Sequence, residues 1–596
     1  MGNKGVVEEA NTTSSKLIIY QIFTRLFGND NANRKISGSI QENGCGKFAD
    51  ITPQALRSIR RLGATHVWFT GVIAHSSRTD YSAYGIPGNH PAIVKGEAGS
   101  PYAIRDYYDV DPDLAVDPAL RMSEYEALIQ RTHEAGLGVI MDFVPNHVSR
   151  QYHSAVCPKG ITDLGADDDK DKAFDPQNNF YYMPGTPLQG SFDMTAGASE
   201  AYAEIPARAT GNDRFDPYPE VNDWYETVKL NYGVDYCGQG TSFDPLPDTW
   251  KKMLQILLYW AGKGVDAFRC DMAEMVPAEF WHYAIAEVKK QYPSLSFIAE
   301  IYNPAAYRHY ISFGGFDYLY DKVGLYDTLR AVCCGYAPAR NITGCWQSID
   351  GIQSHMLNFL ENHDEQRIAS DFFAGDARKA IPALLVSATM HTSPFMLYFG
   401  QEWGERGMDA EGFSGLDGRT TIFDYWSLDA MTRWKNGGKY SENLFTPEEA
   451  ELRQAYARLL NLCTKEKAIS EGTFYDLMYV NPDSPVFDDN RQYAYLRRSD
   501  DSLLLIIANF SDAERTVQIR IPEHAFDFLQ IPLVTRPRKI KDLLSGDDFS
   551  IVLHPDIPIS VSLPAYGGRI LKIRVSRSPL ESSKRLAQQI IPFPMS

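Results

Sequence analysis

Eight short apolar runs, separated by segments with helical punctuation, recur between positions 17 and 399 of this 596-residue chain. They occupy 17–23, 65–69, 138–144, 264–271, 295–300, 316–320, 356–360 and 394–399. Runs this apolar suit strands covered on both faces. The intervening segments carry helix signals: Thr52 before Pro53 with Gly63 beyond, a Ser123/Glu126 capping box with Gly136 beyond, Asp248 as an N-cap, and a start after Pro277. Strands alternating with helices require right-handed parallel crossovers, and eight such units predict a closed (β/α)8 barrel of α/β class.

The alternation lapses twice. Residues 148–240 are polar and turn-rich, including Asp167-Asp168-Asp169-Lys170. A stretch of that length without periodicity predicts a subdomain inserted after the third strand. Later, short alternating runs at 492–496 and 503–507, with a turn at 509–511, predict a separate all-β sandwich. The expected organisation is a polar tail at 1–15, a barrel from 16–147 and 241–470, an insert at 148–240, a sandwich at 471–577 and a tail at 578–596.

Arg269 and Asp271 stand two apart at the end of the fourth run, so a pleated strand sends both side chains the same way. A guanidinium beside a carboxylate keeps it ionised, as a nucleophile must be. Taken alone, the pair reads slightly better as a structural ion pair at a strand end. Glu300 and Asp364 end two further strands, on the face where such barrels carry their chemistry. His147 and His363 accompany them, and each by itself is as consistent with a buried structural histidine. Glycosidic cleavage requires two opposed carboxylates, one ionised and one protonated. Glu300 follows Ile298-Ala299 with no adjacent cation in sequence, which suits the proton donor.

Lys and Arg number 58 against 76 Asp and Glu, a formal charge of −18 that argues against nucleic acid or an anionic membrane surface as partner. No run approaches a membrane span. The eight cysteines are scattered without metal-type spacing and read as reduced thiols. With a polar start, this places the chain in the cytoplasm, or in the periplasm or outside if an export signal has been removed. The loop Asn29-Asp30-Asn31-Ala32-Asn33 offers oxygen ligands, Asn29 and Asn31 among them, for calcium, or forms a plain turn.

Four motifs occur in order and at strand spacing: Asp142-Phe143-Val144-Pro145-Asn146-His147, residues 264–271, residues 297–300, and Glu361-Asn362-His363-Asp364. Together they closely resemble the α-amylase family, glycoside hydrolase family thirteen, across nearly all of residues 15–575. The resemblance implies Asp271 as nucleophile, Glu300 as general acid/base and Asp364 as the group clamping sugar hydroxyls and stabilising the transition state. His147, Arg269 and His363 would line the subsite of the ring under attack, with Tyr102 as its stacking platform, while Asp142 and Asp106 look structural. In some members Asn146 ligates a calcium shared with the insert; no organic cofactor is implied. The run Thr227-Val228-Lys229-Leu230-Asn231 resembles the form found in neopullulanases and cyclomaltodextrinases. Ala273 and Gly99 tilt the same way, towards α-1,4-glucan or maltodextrin. Trp224, Tyr225, Tyr302 and Trp403 are further candidate platforms. The expected activity is retaining hydrolysis of α-1,4 bonds in starch-derived maltodextrins through a covalent glycosyl-enzyme. The alternatives are a transglycosylase or trehalose-synthase-type isomerase, and a silent carbohydrate-binding barrel.

Overall fold

A computed structural model describes residues 16–575; the polar stretch expected at 1–15 and the tail expected at 578–596 lie outside them. Eight parallel strands close into a barrel: β1 (Ile18–Phe23), β2 (His66–Thr70), β3 (Gly138–Phe143), β4 (Ala267–Cys270), β5 (Ser296–Ala299), β6 (Tyr318–Tyr320), β7 (Met356–Phe359) and β8 (Phe395–Tyr398). Each pairs with its sequence neighbour, and β1 pairs with β8 to shut the ring. Helices return the chain outside: α1 (Pro53–Leu62), α2 (Arg121–Glu134), α3 (Asp248–Gly262), α4 (Ala278–Gln291), α5 (Asp327–Cys333), α6 (Ile342–Ser348), α7 (Ile381–Thr389) and α8 (Pro447–Lys465). After β5 the return is only a short helical turn running into the π-helix Tyr310–Gly314.

Period-two alternation fills the barrel. Ile19, Trp68, Ile140, Ala267, Ile298, Leu357 and Met396 point inward as a separate apolar cluster, while the opposite faces of the strands join the large outer core beneath the helices. Both faces are therefore dry, as the near-continuous apolar runs require.

Helix starts depart from expectation in two places. Thr52 caps α1 by accepting the Ala55 N–H at 3.1 Å, with Pro53 at the first helical position. The Ser123/Glu126 box does not form: α2 begins at Arg121, and Glu124 instead accepts the N–H groups of Val116 and Asp117. A 3-10 turn begun by Asp117 has already set the helical path two residues early. Asp248 is likewise inside α3, where Lys252 pairs with it at 2.9 Å one turn on.

The stretch 71–110 contains a two-stranded antiparallel pair, Ile73–His75 against Ile104–Val110. Between β3 and α3 the regular structure is sparse, chiefly His147–Ser149 against Thr227–Lys229 and Tyr182–Met183 against Ala207–Arg208. Beyond α8 come β9 (Thr473–Asp476), β10 (Gln492–Arg498), β11 (Ser502–Asn509), β12 (Arg515–Ile519), β13 (Val534–Asp542), β14 (Asp548–Leu553), β15 (Ile559–Leu563) and β16 (Gly567–Arg574). Six of them form one sheet in the order β9-β10-β11-β16-β13-β14, and β12 pairs with β15. This domain is not wholly β: the seven-residue helix α9 (Glu523–Leu529) buries Ala525, Phe526 and Leu529 beside it.

Candidate active site

One step of two residues along the strands converts the apolar barrel layer into a polar one. Ile19 leads to Gln21, Ile140 to Asp142, Ala267 to Arg269 and Ile298 to Glu300, each side chain keeping the inward direction. Asp271 is one further step along β4. All but Gln21 thereby meet around Arg269, which is 1% exposed.

The Arg269 guanidinium spans three of the acids. Its Nη1 donates to Asp271 Oδ1 at 2.8 Å and lies 3.4 Å from Asp142 Oδ1, while Nη2 stands 2.8 Å from Glu300 Oε2. The last contact is an ion pair off the N–H direction, so Nη2 has no aligned acceptor. The aromatic rings of Trp68, Tyr102 and Tyr320 surround the cation at 5.2–5.6 Å.

Glu300 is held at both oxygens. Tyr302 Oη donates to Oε1 at 2.6 Å, and the Met272 N–H donates to Oε2 at 2.9 Å. Met272 adopts φ 42°, a left-handed conformation costly for a side chain of its size, and that turn is what aims its N–H at Glu300. Asp364 lies over the same cleft with its Oδ2 3.1 Å from His363 Nε2. Gln21 Nε2 donates to His363 Nδ1 at 2.9 Å, leaving the proton of a neutral ring on Nε2, towards Asp364. The Tyr102 hydroxyl also meets Nε2, and the Tyr102 ring stacks on His363 with centroids 5.3 Å apart.

Several carboxylates thus share one guanidinium, and burial raises the proton affinity of Asp271, Asp364 and Asp142. Burial and then the charge of Glu300 raise Asp271 well above the carboxylate range. The same two causes raise Asp364 to about 7, and burial raises Asp142 to about 6. The Arg269 guanidinium, 2.8 Å from Asp271, opposes the rise there. Burial keeps both histidines neutral: His147 falls to about 3 and His363 falls well below its ordinary value.

The cleft holds about 360 Å³ and is lined by Asp271, Glu300, Asp364, Tyr102, His147 and Trp224, among others. Lys95, Glu226, Phe413 and Phe423 also line it, and none of these was legible beforehand. Lys95 Nζ lies 3.3 Å from Glu226 Oε1, joining the loop after β2 to the insert. No local pattern marks such residues, because they come from irregular segments.

Of the candidate platforms, Trp224 flanks the cleft with its ring 5.3 Å from His147. Tyr302 serves Glu300 through its hydroxyl. Tyr225 instead packs on Phe192 at 4.5 Å. Trp403 is core, 3% exposed between Trp434 and Phe445. Gly99 has φ +79°, and a Cβ there would fall 1.7 Å from the Ser76 carbonyl oxygen, so no acid can stand at this position. Asp106 accepts the N–H groups of Tyr108 and Ala155, a structural use.

The residues read as calcium ligands do not fit that ion. Asn146 Oδ1 accepts from the buried Lys229 ammonium at 2.7 Å, and its Nδ2 donates to Gly211 O at 2.7 Å. Lys229 also pairs with Asp213 at 2.5 Å, so a fixed cation already occupies the seam between β3 and the insert. In the first loop, the Asn29 and Asn31 amides donate to main-chain carbonyls, and each Oδ1 accepts a loop N–H. The one carboxylate there, Asp30, is paired with Lys435 at 3.0 Å. Among the described residues, one cluster of three metal-type side chains remains, Asp483, Asp488 and Asp489, with Arg340 on Asp489.

The family model for the α-amylase catalytic domain matches residues 21–181. Over that stretch the chain resembles the α-amylase family. Among its relatives, "Alpha-amylase 2" of Dictyoglomus thermophilum is 21% identical over 512 residues, 85% of this chain and 71% of that protein. A cyclomaltodextrinase of a Bacillus species is 23% identical over 527 residues, 84% of this chain and 74% of its own length. The solved structure of a noncanonic maltogenic α-amylase from Thermotoga neapolitana overlays with TM-score 0.57 at 19% identity, covering 94% of this chain and 99% of that one. An α-amylase from Geobacillus thermoleovorans, solved with acarbose, overlays with TM-score 0.60 at 16% identity, covering 94% and 99%. At these identities the overlays establish the shared fold. The motif residues Asp271, Glu300, Asp364, Arg269, His147, His363 and Tyr102 converge on one cleft and its floor, whereas Asn146, Asn29 and Asn31 do not form a cation cage.

Proposed function

We infer that the protein is a retaining glycoside hydrolase acting on α-1,4-glucosidic bonds of starch-derived maltodextrins, with Asp271 and Glu300 as its catalytic pair. The observation that carries this reading is a single guanidinium held between those two carboxylates at the floor of a cleft walled by aromatic rings. Retention needs one carboxylate as nucleophile and the other as proton donor on facing sides of the bond.

Asp271, paired with Arg269, attacks the anomeric carbon as a carboxylate while Glu300 protonates the departing glycosidic oxygen. The aglycone leaves and the sugar remains esterified to Asp271. Glu300, now a carboxylate, takes a proton from water; the hydroxyl adds to the anomeric carbon and Asp271 is released. Asp364, braced by His363, is placed to hold ring hydroxyls as charge develops at the anomeric carbon. Names among the relatives, α-amylase and cyclomaltodextrinase, support an α-glucan as substrate. The run Thr227-Val228-Lys229-Leu230-Asn231, similar to the form found in neopullulanases and cyclomaltodextrinases, supports the α-1,4 assignment.

Asp271→Asn tests the assignment. Maltoheptaose turnover is expected to fall by at least about 10³-fold, with binding and the folded state retained. Turnover within about tenfold of wild type would remove Asp271 from the nucleophile role.

A further inference from the structure

A second crevice, of about 690 Å³, lies at the opposite end of the barrel, where the C-terminal domain abuts it. One wall comes from residues just before β7 and β8, Ser354, His391 and Thr392, and from the α6 region with Trp346, Gln347 and Asp350. The other wall comes from the C-terminal domain: Phe474, Tyr475, Tyr479, His524 and Phe528.

These rings form a connected surface. Phe474 contacts Trp346 at 5.4 Å and His391 at 5.0 Å. Tyr475 contacts Tyr479 and Phe528 at 6.4 and 5.8 Å, and His524 stacks on Phe528 at 13°. Two of them are left open at the rim: Tyr479 is 64% exposed and Phe528 44%. Behind the rings, the fixed charges are spent internally. Asp476 accepts from Thr343, Trp346 and Tyr493, and Arg497 donates to the carbonyls of Ala468, Met390 and Ile469. Gln347, Ser354 and Thr392 offer neutral hydrogen-bonding groups around the rings, and the carboxylate of Asp350 accepts from Gln353 at 2.8 Å. His391 Nε2, at the back, has no partner among the described residues.

A ligand for such a surface needs flat apolar faces and many neutral hydroxyls, and it should carry no phosphate or other anion that the spent cations could receive. A pyranose chain has that chemistry. We propose that this crevice is a second, non-catalytic α-glucan-binding site, on which a polymer rests while its end or a loop enters the cleft at the far side of the barrel. The identity of the ligand rests on the α-glucan reading above; the site itself rests on the crevice.

The test uses the full chain with Tyr479→Ala and Phe528→Ala combined, and separately Gln347→Ala with Asp350→Ala, all at exposed positions. Mobility in native gels containing amylopectin should show about fivefold weaker retention for the ring variant. Its KM for soluble starch should rise about threefold, while kcat/KM for maltotriose stays within about twofold. Unchanged retention and unchanged starch KM in both variants, with wild-type melting, would overturn the proposal. A ring variant that fails to fold leaves the Gln347/Asp350 pair to decide it by the same two readouts. If wild type cleaves no α-glucan yet its retention depends on Tyr479 and Phe528, the crevice stands and the hydrolase reading falls.

Discussion

At the residue scale, the site is governed by how few cations serve its acids. Asp364 carries a raised affinity for its proton, to about 7, caused first by desolvation in the cleft and then by Glu300. The sign follows from linkage: a carboxyl raised above its unfolded value near 4 stabilises the fold below that value, and this contribution is lost as pH rises through about 7. Asp364→Asn should therefore melt higher than wild type at pH 8 and close to it at pH 4, as followed by circular dichroism; equal shifts at both values would refute the linkage. Tyr302 acts through Glu300, since its hydroxyl donates to Oε1. Tyr302→Phe should lower kcat for maltodextrin about tenfold, with a smaller loss on a nitrophenyl glycoside whose leaving group needs no proton. Equal losses on both substrates would make Tyr302 a packing residue.

At the scale of elements, the joint between β3 and the insert depends on one buried side chain. The strand His147–Ser149 pairs with Thr227–Lys229, and Lys229 reaches back across that ladder to Asn146. Removing the ammonium strands the Asn146 oxygen in a dry seam and frees the loop holding Asp213, at a cost of about 3 kcal/mol. Lys229→Met should lower the melting temperature by several degrees and kcat/KM by about tenfold, because His147 and Trp224 sit on the same joint. Wild-type activity should be indifferent to a calcium chelator, whereas loss of activity on chelation would show that a cation is held elsewhere. The same element explains why the calcium reading of Asn146 fails: a lysine ammonium fixed in the seam excludes a second positive charge.

At the scale of the whole molecule, the barrel and the sheet domain share polar anchors as well as apolar contact. Asp476 on β9 accepts from Thr343 and Trp346 of α6, and the Tyr495 hydroxyl meets Thr389 of α7 at 2.5 Å. The buried Arg497 ties β10 to the carbonyl of Met390 beside the barrel. Such anchors couple the two units, so calorimetry should show one cooperative transition. Asp476→Ala should lower that single transition by about 2–3 kcal/mol, leaving Tyr493 and Trp346 without an acceptor. Two separated transitions in wild type would show that the domains unfold independently.

What the sequence by itself determined is whatever a local period can encode. Strand and helix alternation specified the barrel, and the step from Ala267 to Arg269 to Asp271 specified which acids face inward, because pleating repeats every two residues. Helix starts were less legible, since Glu124 finds its partners only after the turn at Asp117 has formed. What only the tertiary structure decided is who meets whom across long separations. Gln21 on His363, Lys229 on Asn146, Lys95 on Glu226 and Met272 on Glu300 are contacts between segments whose mutual placement no spacing rule contains. The same is true of the crevice between barrel and sheet, whose walls are each ordinary helix and strand until packing sets them opposite one another.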